Sequence, residues 1–156
     1  MTRTIHVLLV EDNAADVDLM RASLVSTEFE IKLSVAKDGV EAMDFLNGAG
    51  SWSEPGDPTL IILDLNLPGR DGRQLLAVIK SHDTLRRIPV VVLSSSDSEK
   101  DITSCYHLGA NSYMVKPIEL HAFRAAVRKL EEFWLGTATL PNRDGHSHAT
   151  HIGYGI

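Results

Sequence analysis

Six polar residues follow short apolar runs of the sequence, and their types would support phosphate or metal chemistry if they met. They are Glu11, Asp12, Asp64, Ser94, Ser95 and Lys116. Clustered carboxylates repel one another unless a cation lies between them, and hard carboxylate oxygens suit Mg²⁺. A carboxylate can also act as a nucleophile and form an acyl phosphate. A metal, a lysine and a hydroxyl would stabilise the charge on the transferring phosphoryl oxygens.

Five short apolar runs alternate with five helical patterns and define the elements that must position these residues. The runs cover residues 5–10, 30–35, 60–64, 89–94 and 112–115. They show little polar alternation, which is typical of strands buried on both faces of a parallel sheet. The helical patterns cover residues 14–26, 38–47, 71–81, 98–108 and about 119–134. This alternation predicts an α/β fold of the (βα)₅ type with a doubly wound, five-stranded parallel sheet.

The candidate residues lie at the predicted carboxyl ends of four of these strands. Ligands of doubly wound folds bind beyond those ends, so the fold would bring the side chains into one cleft. Each residue also has an ordinary structural interpretation when it is taken alone. Asp12 could cap a helix, Ser94 could form a turn, and Lys116 could be a solvated charge. The joint occurrence at four strand ends favours a shared functional site.

At these motifs the sequence resembles the receiver domain of bacterial two-component response regulators, the family of the chemotaxis protein CheY. The resemblance rests on VLLVEDN at 7–13, LDLNLPGRDG at 63–72, VVVLSS at 90–95 and GANSYMVKP at 109–117. It implies a single domain over residues 4–134 with the flavodoxin-like strand order 2-1-3-4-5. Residues 135–156 would form a C-terminal tail.

The resemblance also implies how the site would handle a phosphoryl group. Asp64 would be the phosphoacceptor for a sensor histidine kinase, Ser94 would hydrogen-bond the phosphoryl group, and Lys116 would ion-pair with it. Tyr113 would be the switch aromatic, turning inward when Ser94 moves, and would change the surface of the fourth helix, fifth strand and fifth helix. The peptide bond before Pro117 would be cis. The protein would be a phosphoacceptor rather than an enzyme.

The same resemblance implies a magnesium site. Asp12 and Asp64 would supply carboxylate ligands, and Asn66 would supply its backbone carbonyl. Glu11 would act largely through metal-bound water. Mg²⁺ is therefore the expected cofactor.

Three features, one of them the absence of an output domain, suggest a narrower subgroup, the stand-alone regulators associated with bacterial and cyanobacterial phytochromes. The connection at residues 47–58 is longer than receivers usually have, and the sequence EEFWL occupies positions 131–135. A tolerated surface insertion is the simpler interpretation of the connection. Trp52 within it could still contact a partner.

Three other functions would fit parts of the pattern. A haloacid-dehalogenase-type phosphatase would need a second acid two residues after Asp64, where Asn66 stands. A flavin carrier would need a phosphate loop after the first strand, where Glu11 and Asp12 would repel phosphate. A partner-binding pseudoreceiver would not need the complete set of acids, serine and lysine.

Composition limits the possible partners and compartments. The formal net charge of −6 argues against general nucleic-acid binding. No apolar run approaches the roughly 20 residues of a membrane span, and the start of the chain does not read as a secretory signal. The single cysteine, Cys105, cannot form an internal disulfide, which favours the cytoplasm.

The C-terminal residues predict a homodimer. Phe133 and Leu135 flank the apolar stripe of the last helix and are expected to face outward. Large apolar residues alternate with glycine at 152–156, so an extended tail could form an arm on a second protomer. Three histidines could bind a metal, although a solvated tail is the simpler interpretation: His146, His148 and His151.

Overall fold

A computed structural model describes residues 3–52, 55–67 and 72–141 and shows the predicted alternation of strands and helices. The strands are β1 (Arg3–Val10), β2 (Phe29–Ala36), β3 (Leu60–Leu63), β4 (Val90–Ser94) and β5 (Ser112–Val115). The helices are α1 (Ala14–Ser23), α2 (Gly39–Asn47), α3 (Gly72–Ser81), α4 (Glu99–His107) and α5 (Leu120–Leu130). A 3₁₀ turn at Leu85–Arg87 precedes β4, and a π-helical segment, Glu131–Thr137, continues α5.

The five strands form one parallel sheet in the order β2-β1-β3-β4-β5, which confirms the predicted flavodoxin-like fold class. The order reverses between β1 and β3, because β1 lies between β2 and β3. Such a reversal opens a crevice at the carboxyl edge of the sheet. The register there pairs Val10 with Leu63, and Leu63 with Val92.

Side-chain caps fix the starts of the helices that surround this edge. Asn13 is the N-cap of α1 and accepts a hydrogen bond from the Asp16 N–H at 3.0 Å. Ser98 caps α4 by accepting from the Asp101 N–H at 3.2 Å. Gly109 follows the end of α4 with φ of 106°, a left-handed conformation that favours glycine.

Apolar side chains cover both faces of the sheet. On one face, α1 and α5 pack through residues such as Met20, Phe123 and Val127. On the other face, α2, α3 and α4 pack through residues such as Phe45 and Leu76, and Cys105 is buried there. Both faces of the central strands are therefore buried from solvent, which explains their continuous apolar runs.

The segment after α5 shows that one of the two apolar residues predicted to face outward is buried. Phe133 is 53% exposed as expected, but Leu135 is only 1% exposed and packs in the core beside α1 and α5. An α-helix would turn Leu135 away from Leu130. The π-helical segment has more residues per turn and returns a residue five positions later to the same face.

The long connection between α2 and β3 contacts the rest of the domain through Trp52. The Trp52 ring meets the edge of Phe45 at 4.8 Å between centroids, so it is a packing residue in this structure. The proposed C-terminal arm and the three tail histidines lie outside the described residues. Among the helices that are described, none has the length and apolar character to cross a membrane.

Candidate functional site

The register of the central strands places Glu11 beside Asp64. Each residue follows directly after its strand, and the last residues of β1 and β3 are paired partners. The Asp64 N–H donates to the Val10 carbonyl at 3.0 Å, and the Glu11 N–H donates to the Ala36 carbonyl at 2.9 Å. These backbone hydrogen bonds place Glu11 and Asp64 at the crevice independently of the contacts that their side chains make.

Three acids come together there as predicted. Glu11, Asp12 and Asp64 each present a carboxylate oxygen, and these oxygens lie within 4.8 Å of one another. Glu11 and Asp64 are buried, whereas Asp12 is exposed. This hard oxygen set, open on one side, has the donor chemistry that suits Mg²⁺ with part of its water shell.

The Lys116 ammonium lies at the centre of the acids. Its Nζ donates to Glu11 Oε1 at 2.7 Å, to Asp16 Oδ2 at 2.9 Å and to Asp64 Oδ2 at 3.2 Å. Asp16 is not among the residues predicted from the strand ends, because it lies in the first turn of α1. Its position three residues after the N-cap Asn13 is a sequence signal, but one that indicates helix capping.

The pKa shifts at the site follow from burial and from these contacts. Burial raises the pKa of Glu11 to about 7, helped by the neighbouring Asp64, while the hydrogen bond from Lys116 works in the opposite direction. Burial alone would lower the pKa of Lys116, but hydrogen bonds to Glu11 and Asp16 and the charge of Asp64 outweigh it and raise that pKa. Lys116 is therefore a permanent cation at physiological pH.

Ser94 and Tyr113 lie on the neighbouring strands β4 and β5. Ser94 is fully buried, its hydroxyl accepts from the Ser96 N–H at 3.2 Å, and its carbonyl accepts from the Lys116 N–H at 2.7 Å. The Tyr113 hydroxyl donates to the Ser96 carbonyl at 2.7 Å, and its ring packs on the core of the α2–α4 face. The loop after β4 thus connects the predicted switch pair directly.

Asn66 lies next to the acids, and its N–H donates to Asp64 Oδ1 at 3.1 Å. The following motif residues 68–71 lie outside the described residues. Gly72 then brings α3 against the Asp64 loop, because a Cβ there would lie 2.6 Å from the Asp64 carbonyl oxygen. Only glycine permits this approach.

The predicted cis bond before Pro117 is wrong, since the described residues contain no cis peptide bond and Lys116–Pro117 is trans. Trans is the lower-energy form of a prolyl bond. With this trans bond, the Lys116 ammonium forms ion pairs with the carboxylates of Glu11, Asp16 and Asp64.

An ion pair between α3 and α4 was also not predicted from the sequence. Arg73 of α3 donates to Asp101 of α4 at 3.1 Å, and the Ser96 hydroxyl donates to the same carboxylate at 2.6 Å. These two charged residues line a cavity of about 270 Å³ beside Leu65, Asn66 and Leu67. No sequence motif marks a pair that is 28 residues apart on two helices.

The fold and this set of acids, lysine and serine define a class of α/β phosphoacceptor domains. A family model, the response regulator receiver domain, matches residues 7–128 of the chain. The chain belongs to the response-regulator receiver family, as the resemblance predicted. Membership implies a histidine kinase as partner.

A phytochrome response regulator is among the similar solved structures, which agrees with the predicted subgroup. The chain is 44% identical over 135 residues to Response regulator Rcp1 of Synechocystis sp., covering 86% of this chain and 92% of the relative. It superposes on the phosphorylated cyanobacterial phytochrome response regulator RcpA with a TM-score of 0.85 at 47% identity, covering 89% and 99% of the two chains. For Mn²⁺-bound Rcp1 the TM-score is 0.83 at 43% identity, with coverage of 88% and 99%.

The central ammonium should stabilise the metal-free protein. In Lys116→Met the buried acids lose their counter-ion, so we expect the free energy of unfolding in EDTA to fall by about 1–3 kcal/mol. Urea denaturation measures the change. Lys100→Met, an exposed lysine on α4, is the matched control and should stay within about 0.5 kcal/mol of wild type. Equal stability of Lys116→Met and wild type would contradict this account of the charge balance.

Proposed function

We propose that this receiver domain takes a phosphoryl group from a phosphohistidine of its kinase onto Asp64. The observation that carries the proposal is the Asp64 carboxylate, buried at the end of β3 with Oδ1 held by the Asn66 N–H and Oδ2 held by Lys116. One carboxylate oxygen forms a bond to phosphorus as the phosphorus–nitrogen bond breaks. The imidazole leaves with the electron pair and takes a proton.

Mg²⁺ is the proposed cofactor, since the three acids offer only oxygen ligands within a small space. Asp12, Asp64 and the Asn66 carbonyl would hold the ion, with Glu11 acting through water. When bound, it supplies positive charge next to the phosphoryl oxygens. Mn²⁺-bound Rcp1 supports a divalent cation in a relative.

The remaining residues would bind the transferred group and report it. Lys116 would donate to a phosphoryl oxygen, and the Ser94 hydroxyl would move toward another. Because Ser96, in the loop after β4, is hydrogen-bonded to both Ser94 and Tyr113, that movement would change how Tyr113 and α4 pack. The signalling surface would therefore be α4, β5 and α5.

The proposed input is a phytochrome-type histidine kinase, because RcpA, at 47% identity, is a cyanobacterial phytochrome response regulator. We also propose a cytoplasmic location, which suits a chain with a single cysteine. The protein would carry a signal rather than turn over a substrate. Asn66, in place of a second acid, argues against a phosphatase of the haloacid-dehalogenase type.

Asp64→Asn should abolish phosphorylation. The amide is not a nucleophile, so we expect no covalent phosphoryl group after incubation with acetyl phosphate and Mg²⁺, or with a phosphorylated kinase. Intact-protein mass spectrometry measures the added mass. Asp83→Asn, an exposed acid remote from the site, should be phosphorylated like wild type. Equal labelling of Asp64→Asn would refute Asp64 as the phosphoacceptor.

Mg²⁺ should stabilise the fold through Asp12. The ion binds the native acidic cluster and relieves its repulsion, so saturating Mg²⁺ should raise the melting temperature of wild type by several degrees. In Asp12→Asn the rise should shrink to less than about half. Calorimetry measures both values, with Asp83→Asn as control. An undiminished rise in Asp12→Asn would exclude Asp12 as a ligand.

We further propose a homodimer in which the exposed Phe133 and the tail contribute to the contact. Light scattering at micromolar concentration should give a dimer mass for the full chain. Truncation after Pro141 removes residues 142–156 of the tail but keeps the buried Leu135 in place, and should lower the mass. A monomeric full chain, with and without phosphorylation, would refute the dimer, whereas a dimeric truncation would refute the arm.

A further inference from the structure

All three N–H donors of the Lys116 ammonium are occupied in the unphosphorylated protein. A lysine has three such donors and no fourth. Glu11, Asp16 and Asp64 each accept one, at 2.7, 2.9 and 3.2 Å. Glu11 and Asp64 belong to the proposed phosphorylation site, but Asp16 belongs to α1 and has no part in the proposed chemistry.

A phosphoryl group on Asp64 would need one of these donors for its own oxygens. The donor that now reaches Asp64 Oδ2 would pass to the phosphoryl group, but the ammonium would have to move outward to follow the phosphoryl oxygens. Of its two other partners, Glu11 and Asp16, the one that regains water more easily costs less to release. The Asp16 side chain is 31% exposed, compared with 4% for Glu11 and 9% for Asp64. Asp16 also lies in the first turn of α1, where the helix N-terminus stabilises a free negative charge.

We propose that Asp16 is a positioning residue that holds the Lys116 ammonium in the unphosphorylated protein and releases it when a phosphoryl group forms on Asp64. The proposal rests on Asp64 being the phosphoacceptor. Asp16 thereby competes with the phosphoryl group for one cation. The strength of its ion pair sets how readily the phosphorylated state forms, and phosphorylation leaves an unpaired carboxylate on α1.

Beryllofluoride, which binds an aspartate as a phosphoryl mimic, tests this competition at saturating Mg²⁺. Fluorine-19 NMR gives its apparent affinity for the full chain. Asp16→Asn removes the competing charge and should tighten binding by about threefold to fivefold, the range expected of a partly exposed ion pair. Asp16→Glu should restore the wild-type affinity. Asp18→Asn, an exposed acid on the same helix, should change it by less than about twofold.

A double-mutant cycle separates release of Lys116 from general charge repulsion. If Asp16 acts through the ammonium, Asp16→Asn should have no effect in a Lys116→Met background. The same tightening in that background, or unchanged or weaker binding in Asp16→Asn alone, would overturn the proposal. Asp16→Ala, checked for folding by its melting curve, repeats the test without the amide. Failure of wild type to bind beryllofluoride would instead contradict phosphorylation of Asp64.

Discussion

The ammonium of Lys116 lies among three carboxylates, and the charge balance around it determines what this edge of the sheet can do. Glu11, Asp16 and Asp64 share the cation, and Asp12 adds a further acid at the open side. One ammonium cannot neutralise all of them, so the site keeps a net negative charge that would favour a divalent cation. Burial raises the pKa of Glu11 to about 7, which reflects the cost of burying that charge.

The rest of the fold keeps these charges at the rim of the sheet instead of in its interior. The central strands are buried on both faces by two apolar layers, and polar side chains begin only where the strands end. Backbone hydrogen bonds from Asp64 to Val10 and from Lys116 to Ser94 extend the strand pairing one step further. The positions of the charged groups therefore follow from the strand register, which the dry core makes costly to shift.

The sequence predicts the parts of this arrangement that depend on periodicity. Apolar runs predicted the five strands, and the strand-end rule selected Glu11, Asp12, Asp64, Ser94 and Lys116 before any distance was known. The strand-end rule did not select Asp16, because this residue lies on a helix. Its contact with Lys116 also joins residues that are 100 positions apart in the sequence. The burial of Leu135 was not predicted, because a 3.6-residue period does not describe the π-helical segment.

A crystal structure of the protein with Mg²⁺ and beryllofluoride tests the central claim most directly. The account predicts beryllium bonded to an Asp64 oxygen and the ion bound by Asp12 and Asp64. Lys116 Nζ and Ser94 Oγ should each lie within about 3.2 Å of a fluoride, a hydrogen-bond distance, with Asp16 turned to water. Beryllofluoride bound away from Asp64, or a Lys116 ammonium that contacts no fluoride, would contradict the account.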